Sequence, residues 1–100
     1  LRDIPLLPMD EVRSEYYLRF QVMDRSGVLA AMTQVFGQYD ISIQSMVQPA
    51  RATHPDMPVQ VIIITHEARE ADIKKGLAAI APMDFILGET QLIRIERFTG

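Results

Sequence analysis

The chain has no cysteine, which removes a disulfide framework and a thiolate metal site and leaves a reducing compartment permitted. It has no excess of positive charge either: ten basic against thirteen acidic residues give a net charge of -3 at pH 7. That is the wrong sign for a nucleic-acid or anionic-membrane surface. No apolar run reaches the length needed to span a bilayer, and no basic-then-apolar leader is expected before the core. Without a GxGxxG turn, no dinucleotide cofactor is expected to bind here. Without a GxSxG-type elbow beside its two histidines, the chain is not expected to run nucleophilic catalysis. His54 and His66, with Asp56 and Glu67 nearby, have metal-ligand chemistry but not metal-ligand spacing. No acid, base and nucleophile converge, so the chain itself is not expected to be an enzyme.

What is there is enough for one globular domain. Its 100 residues, 48% apolar and 23% charged, can bury roughly 60–65% of the unfolded surface. The chain opens on Leu1 rather than Met, and is expected to be a piece of a longer one. Pro5 and Pro8 break any early helix, so residues 1–14 are expected to be a linker from a preceding domain and residues 15–98 the domain itself.

From Ser14 to Val22 the pattern alternates, with Leu18, Phe20 and Val22 on one face and Tyr17, Arg19 and Gln21 on the other, as in a strand packed on one side. Val28, Leu29, Met32, Val35, Phe36 and Tyr39 then form one helical stripe. Ile41, Ile43, Ser45 and Val47 alternate with Ser42, Gln44, Met46 and Gln48, predicting a second strand. Pro49, Pro55 and Pro58 exclude a regular element between them and predict a mobile hairpin loop. Val59 to Thr65 is apolar on both faces, which suits a central strand. Glu67 to Ala81 reads as a helix with Ile73, Leu77 and Ile80 on one face and a Glu70–Lys74 pair, stopped by Pro82. A last strand is predicted from near Gln91 to Phe98.

Strand, helix, strand, strand, helix, strand gives an α+β, ferredoxin-like βαββαβ sandwich: a four-stranded antiparallel sheet, two helices on one face, strands one and three central. Ile62 and Ile64 then point away from the helices, an apolar face that self-association would cover. RNA binding on that face is disfavoured, because Tyr17 lies opposite an isoleucine rather than another ring.

The organising feature is the turn Val22-Met23-Asp24-Arg25-Ser26-Gly27-Val28-Leu29. It brings the unpaired N–H groups of a helix's first turn to the end of a sheet, beside a carboxylate, a guanidinium and a hydroxyl. Such a corner suits a small zwitterion. Plainer roles compete: Asp24 as a helix cap, Gly27 as a packing residue, Arg25 as a solvated side chain.

Asp24-Arg25-Ser26-Gly27-Val28-Leu29 together with Tyr39-Asp40-Ile41-Ser42-Ile43 resembles the ACT domain, a small regulatory module that senses amino acids. Met9-Asp10-Glu11-Val12-Arg13-Ser14 running into Tyr16-Tyr17-Leu18-Arg19, then Ile64-Thr65-His66-Glu67-Ala68 and Leu87-Gly88, is similar to the C-terminal ACT domain of bacterial homoserine dehydrogenases. The resemblance implies a cytoplasmic homo-oligomer whose copies pair through a sheet edge or the open sheet face. It also implies an attached NAD(P)-dependent catalytic domain and a small amino acid, threonine, bound at the seam between copies. It assigns the ligand ammonium to Asp24, the carboxylate to the backbone of Ser26, Gly27, Val28 and Leu29, and one side-chain contact to Ser42; Arg25 is a candidate beside them by its own chemistry, as a two-pronged donor to a carboxylate. Ser26 stands where such turns commonly carry proline, and Ser42 where some amino-acid-binding relatives carry asparagine. The other reading is a structural oligomerisation module that binds nothing.

Overall fold

The alternation that ends at Met23 forms a strand because its even-numbered residues from Tyr16 to Val22 can all be buried at once. In the computed structural model, which describes residues 13–50, 53–54 and 57–95, β1 (Arg13–Met23) has Tyr16, Leu18, Phe20 and Val22 at no more than 1% exposure. The chain continues through α1 (Val28–Gln38), β2 (Ile43–Val47), β3 (Pro58–Thr65), a short β4 (Ala68–Arg69), α2 (Glu70–Ile80) and β5 (Ile86–Ile95). All pairings are antiparallel, with β3 and β5 flanking β1 and β2 outside β3. This is the expected ferredoxin-like sheet with strands one and three central. Both helices lie on the face of Leu18 and Phe20: α1 contributes Val28, Met32, Val35 and Phe36 to the core, and α2 contributes Ile73 and Ile80. Phe20 and Phe36 meet with ring centroids 6.2 Å apart.

Two glycine-like features shape α1. Asp40 takes φ 59 just past its end, with Ile41 N–H donating to the Phe36 carbonyl at 2.9 Å and Asp40 N–H to that of Gly37 at 3.2 Å. That is a Schellman closure, and it delivers Ile41 into the core. Gly76 lets α2 approach there, since a Cβ at that position would stand 3.0 Å from Ile41 Cδ1.

Five expectations need correction. The second helix starts at Glu70 rather than Glu67, because Ala68 and Arg69 pair with Ser14 and Arg13, one residue out of the register that β3 sets on β1. The last strand starts at Ile86, not near Gln91. Its first residues pair with Val22 and Gln21, but Gly88 at φ 70 and an irregularity opposite Arg19–Gln21 break the alternation that would have revealed them. In β2 a register shift between Ile43 and Ser45 exchanges the faces, so Met46 packs on the core and Val47 is 49% exposed. Leu29 sits in the helical stripe but is 38% exposed, on the rim of the turn rather than in the core. Pro58, placed in the loop by its type, opens β3, a position where a missing N–H is tolerated. The expected linker over residues 1–12 and residues 96–98 of the expected last strand lie outside the described residues; Arg13 and Ser14 already belong to β1.

The face turned away from the helices carries Tyr17 opposite Ile64 and Ile93, and Arg19 opposite Ile62 and Gln91. Ile93 is 52% exposed there.

Candidate functional site

Gly27 is what makes the corner between β1 and α1 possible. It caps α1 at φ 83 and ψ -6, a left-handed conformation that glycine adopts without a side-chain penalty. Ala31 N–H returns to the Gly27 carbonyl at 2.9 Å, and Val28 N–H reaches the Arg25 carbonyl at 3.3 Å. The N–H groups of Leu29 and Ala30, also in the first turn, have no carbonyl one turn earlier within the helix to receive them. Both residues line a cavity of about 290 Å³ whose other walls include Val22 from β1, Val59 and Val61 from β3, and Gln48 just after β2. The floor is apolar aliphatic and the rim polar. The electropositive helix start faces the same space, so an anionic group has a favourable place there.

Six of the seven residues expected in the site, Asp24 to Leu29, line this cavity. Asp24, Arg25, Ser26 and Gly27 are exposed. No side chain caps α1, so Asp24 does not serve as the plain helix cap that competed with its ligand role. Arg25 is not merely solvated: its Nη2 donates to Asp84 Oδ1 at 2.7 Å, in the turn between α2 and β5. Met23 N–H donates to the Phe85 carbonyl at 2.9 Å, so the two turns are tied by backbone as well.

The seventh residue is elsewhere. Ser42 precedes β2, where its carbonyl accepts the His66 N–H at 2.9 Å. The turn adjoins the opposite end of the sheet, where Met23 pairs with Pro58. The backbone from His66, beside Ser42, to Pro58, beside the turn, covers eight positions of extended chain, about 26 Å, so one chain does not bring Ser42 and Asp24 together. Gln48, at the other end of the same strand, does line the cavity, with its Nε2 donating to the Ala50 carbonyl at 3.3 Å. The order of elements carried a signal for it. Antiparallel pairing puts the end of strand two and the start of strand three beside the end of strand one.

A second polar cluster lies at the far end, under the start of α2. The Glu70 carboxylate, 7% exposed, accepts the Tyr16 hydroxyl at 3.0 Å and Arg94 Nη2 at 2.6 Å, with Lys74 Nζ at 3.8 Å. The Arg94 guanidinium holds Glu70 below the usual carboxylate range, while burial and the adjacent Glu70 raise the Tyr16 hydroxyl above its ordinary value. Tyr16 N–H is also satisfied, by Thr65 Oγ1 at 3.1 Å. The cluster joins α2, β1 and β5, a stabilising role. Among the described residues, no three His, Asp or Glu side chains gather as a metal site, and no helix is long and apolar enough to cross a membrane.

The fold and the comparisons with known proteins agree. The family model described as "ACT domain" matches residues 16–82. This chain belongs to the ACT domain family. Among curated relatives it is 36% identical over 99 residues to the homoserine dehydrogenase of Methylobacillus glycogenes, covering 99% of this chain and 24% of that protein. It is 35% identical over 97 residues to that of Pseudomonas aeruginosa, covering 97% and 22%. The chain thus spans about a quarter or less of the length of those relatives. Among solved structures, a homoserine dehydrogenase from Thiobacillus denitrificans superposes with a TM-score of 0.82 at 38% identity, over 96% of this chain and 20% of that one. The regulatory subunit of aspartate kinase from Thermus thermophilus shares the ACT fold, with a TM-score of 0.61 at 18% identity over 80% of this chain and 50% of that one.

Proposed function

We propose that this ACT domain is the amino-acid-sensing regulatory part of a cytoplasmic homoserine dehydrogenase, and that L-threonine binds at the Gly27 corner. The observation that carries the reading is the cavity itself: about 290 Å³, at the low end of small-molecule pockets, with helix-start N–H groups on one side and the Asp24 carboxylate at the rim. The ligand carboxylate sits on the N–H groups of Leu29 and Ala30, its ammonium faces Asp24, and its side chain lies toward Val59, Val61 and the Gln48 amide. The similarity to homoserine dehydrogenases along nearly the whole chain supports an attached catalytic domain that uses NAD(P) and gives the feedback a target. Because one chain leaves Ser42 far from the corner, Ser42 contacts ligand only as the partner subunit's Ser42, in a pair of copies. Regulation then follows if the paired arrangement binds threonine better than the alternative, since a ligand with equal affinity for both shifts nothing.

The experiment is titration calorimetry of the complete protein with L-threonine and a set of other small amino acids, repeated with Asp24→Asn. Threonine binding that weakens about two- to fivefold in the variant is expected from removing an exposed charge opposite the ammonium while an amide oxygen remains to accept its hydrogen bond. Equal affinity in the variant overturns the assigned site. A second reading is favoured by the exposed aliphatic residues of the open sheet face, among them Ile93 at 52% exposure: a module that only joins copies of its parent. No heat with any amino acid, from a protein that is oligomeric, would establish it in place of the sensor.

A further inference from the structure

Arg25 stands between two carboxylate positions. Arg25 lines the cavity, and its Nη2 is engaged by Asp84 Oδ1 at 2.7 Å. Asp84 itself does not line the cavity, and its side chain is 80% exposed. A guanidinium presents a planar fork of donors that a carboxylate fills with two parallel bonds. The bond to Asp84 is single, so the fork is only partly used. A carboxylate seated on the N–H groups of Leu29 and Ala30 would lie on the same turn, in the positive field of the helix start and against aliphatic walls. There its attraction for Arg25 is screened less than that of an exposed aspartate. Asp84, once released, is rehydrated at little loss.

Resting on the reading of the corner as an amino-acid site, we propose that Asp84 is a built-in competitor for the ligand's carboxylate, holding Arg25 in the empty protein and giving it up when an amino acid binds. The exchange changes more than the cavity. Asp84 belongs to the turn that joins α2 to β5, so occupancy at the corner cuts the side-chain tie between the two turns and leaves the backbone bond from Met23 to Phe85. Binding is thereby reported to α2 and β5 without any movement of the core.

The test is the affinity of the complete protein for L-threonine and for L-threonine amide, which lacks the carboxylate, in four forms: wild type, Asp84→Asn, Arg25→Gln and the double variant. Removing the competitor should tighten L-threonine about two- to fivefold, the range that one exposed ion pair permits. It should leave the amide's affinity unchanged and have no effect in the Arg25→Gln background. A merely structural Asp84 would alter both ligands alike and act whether or not Arg25 is present. Threonine binding that is unchanged or weakened by Asp84→Asn, or that Asp84→Asn tightens equally in the Arg25→Gln background, overturns the competition while leaving the corner as the binding site. Absence of binding to the wild type overturns both.

Discussion

Replacing Glu70 by alanine should be among the most damaging single changes in the domain, although the residue touches no part of the corner. Its carboxylate takes the Tyr16 hydroxyl at 3.0 Å and Arg94 Nη2 at 2.6 Å. Tyr16 is 1% exposed, so its hydroxyl loses a partner that water cannot readily replace, at a cost of about 1 kcal/mol. The bond from Arg94 is charge-assisted and contributes about 1.5–3 kcal/mol when buried; the Arg94 side chain is 31% exposed, which places it toward the lower end. Lys74, 54% exposed and 3.8 Å away, adds only about 0.3–0.5 kcal/mol. The expected loss is roughly 2–4 kcal/mol, a large part of a stability of about 5–15 kcal/mol. The acid dependence gives an independent check. Arg94 holds the Glu70 carboxylate below the ordinary 4.5, so its contribution is complete above that value and disappears as pH falls through the lowered one. Urea unfolding of wild type and Glu70→Ala between pH 7 and pH 3 should show the gap closing at the acid end. A gap under about 0.5 kcal/mol at pH 7, or one that is unchanged at pH 3, would refute the assigned role.

Gly27→Ala should destabilise the domain by about 1–2 kcal/mol from its positive φ alone, because a Cβ there meets nothing within 4 Å; Gly27→Asn should lose less, and denaturant titration separates the two. Asp24→Asn should leave stability within about 0.5 kcal/mol of wild type, since no side chain caps α1, and a larger drop in thermal unfolding would return Asp24 to a capping role. Gly76→Val should cost about 1–3 kcal/mol by overpacking against Ile41 Cδ1 and Phe36 Cδ1, which a Cβ already approaches to 3.0 and 3.5 Å; unchanged denaturant unfolding would mean that α2 can move away freely.

The elements readable in the sequence are those whose burial follows one simple period. Leu18, Phe20 and Val22 announce β1, and Met32, Val35 and Phe36 announce α1, because each set is buried on one side of its own element. The period fails where pairing is irregular. The shift after Ile43 exchanges Met46 and Val47, and the irregularity around Gly88 hides the first half of β5. Ala68 and Arg69 are strand only because the start of β1 is alongside to pair with them, a tertiary cause that no local pattern records. The corner was legible for a different reason: a left-handed cap, a sheet end and a helix start all fall within six consecutive residues. What surrounds the corner was not local. Asp84 reaches Arg25 from 59 positions away, and Gln48 arrives from the end of β2. Ser42 was assigned by resemblance, and only the direction of β2 reveals that it and the turn lie at opposite ends of one chain's sheet.

The most direct test is a crystal structure of the complete protein grown with saturating L-threonine. The account predicts density for the amino acid in the cavity between β1 and α1, with its carboxylate on the N–H groups of Leu29 and Ala30 and its ammonium toward Asp24. Threonine bound at a different place, with this cavity filled by ordered water or by the closing of its own walls, would contradict it.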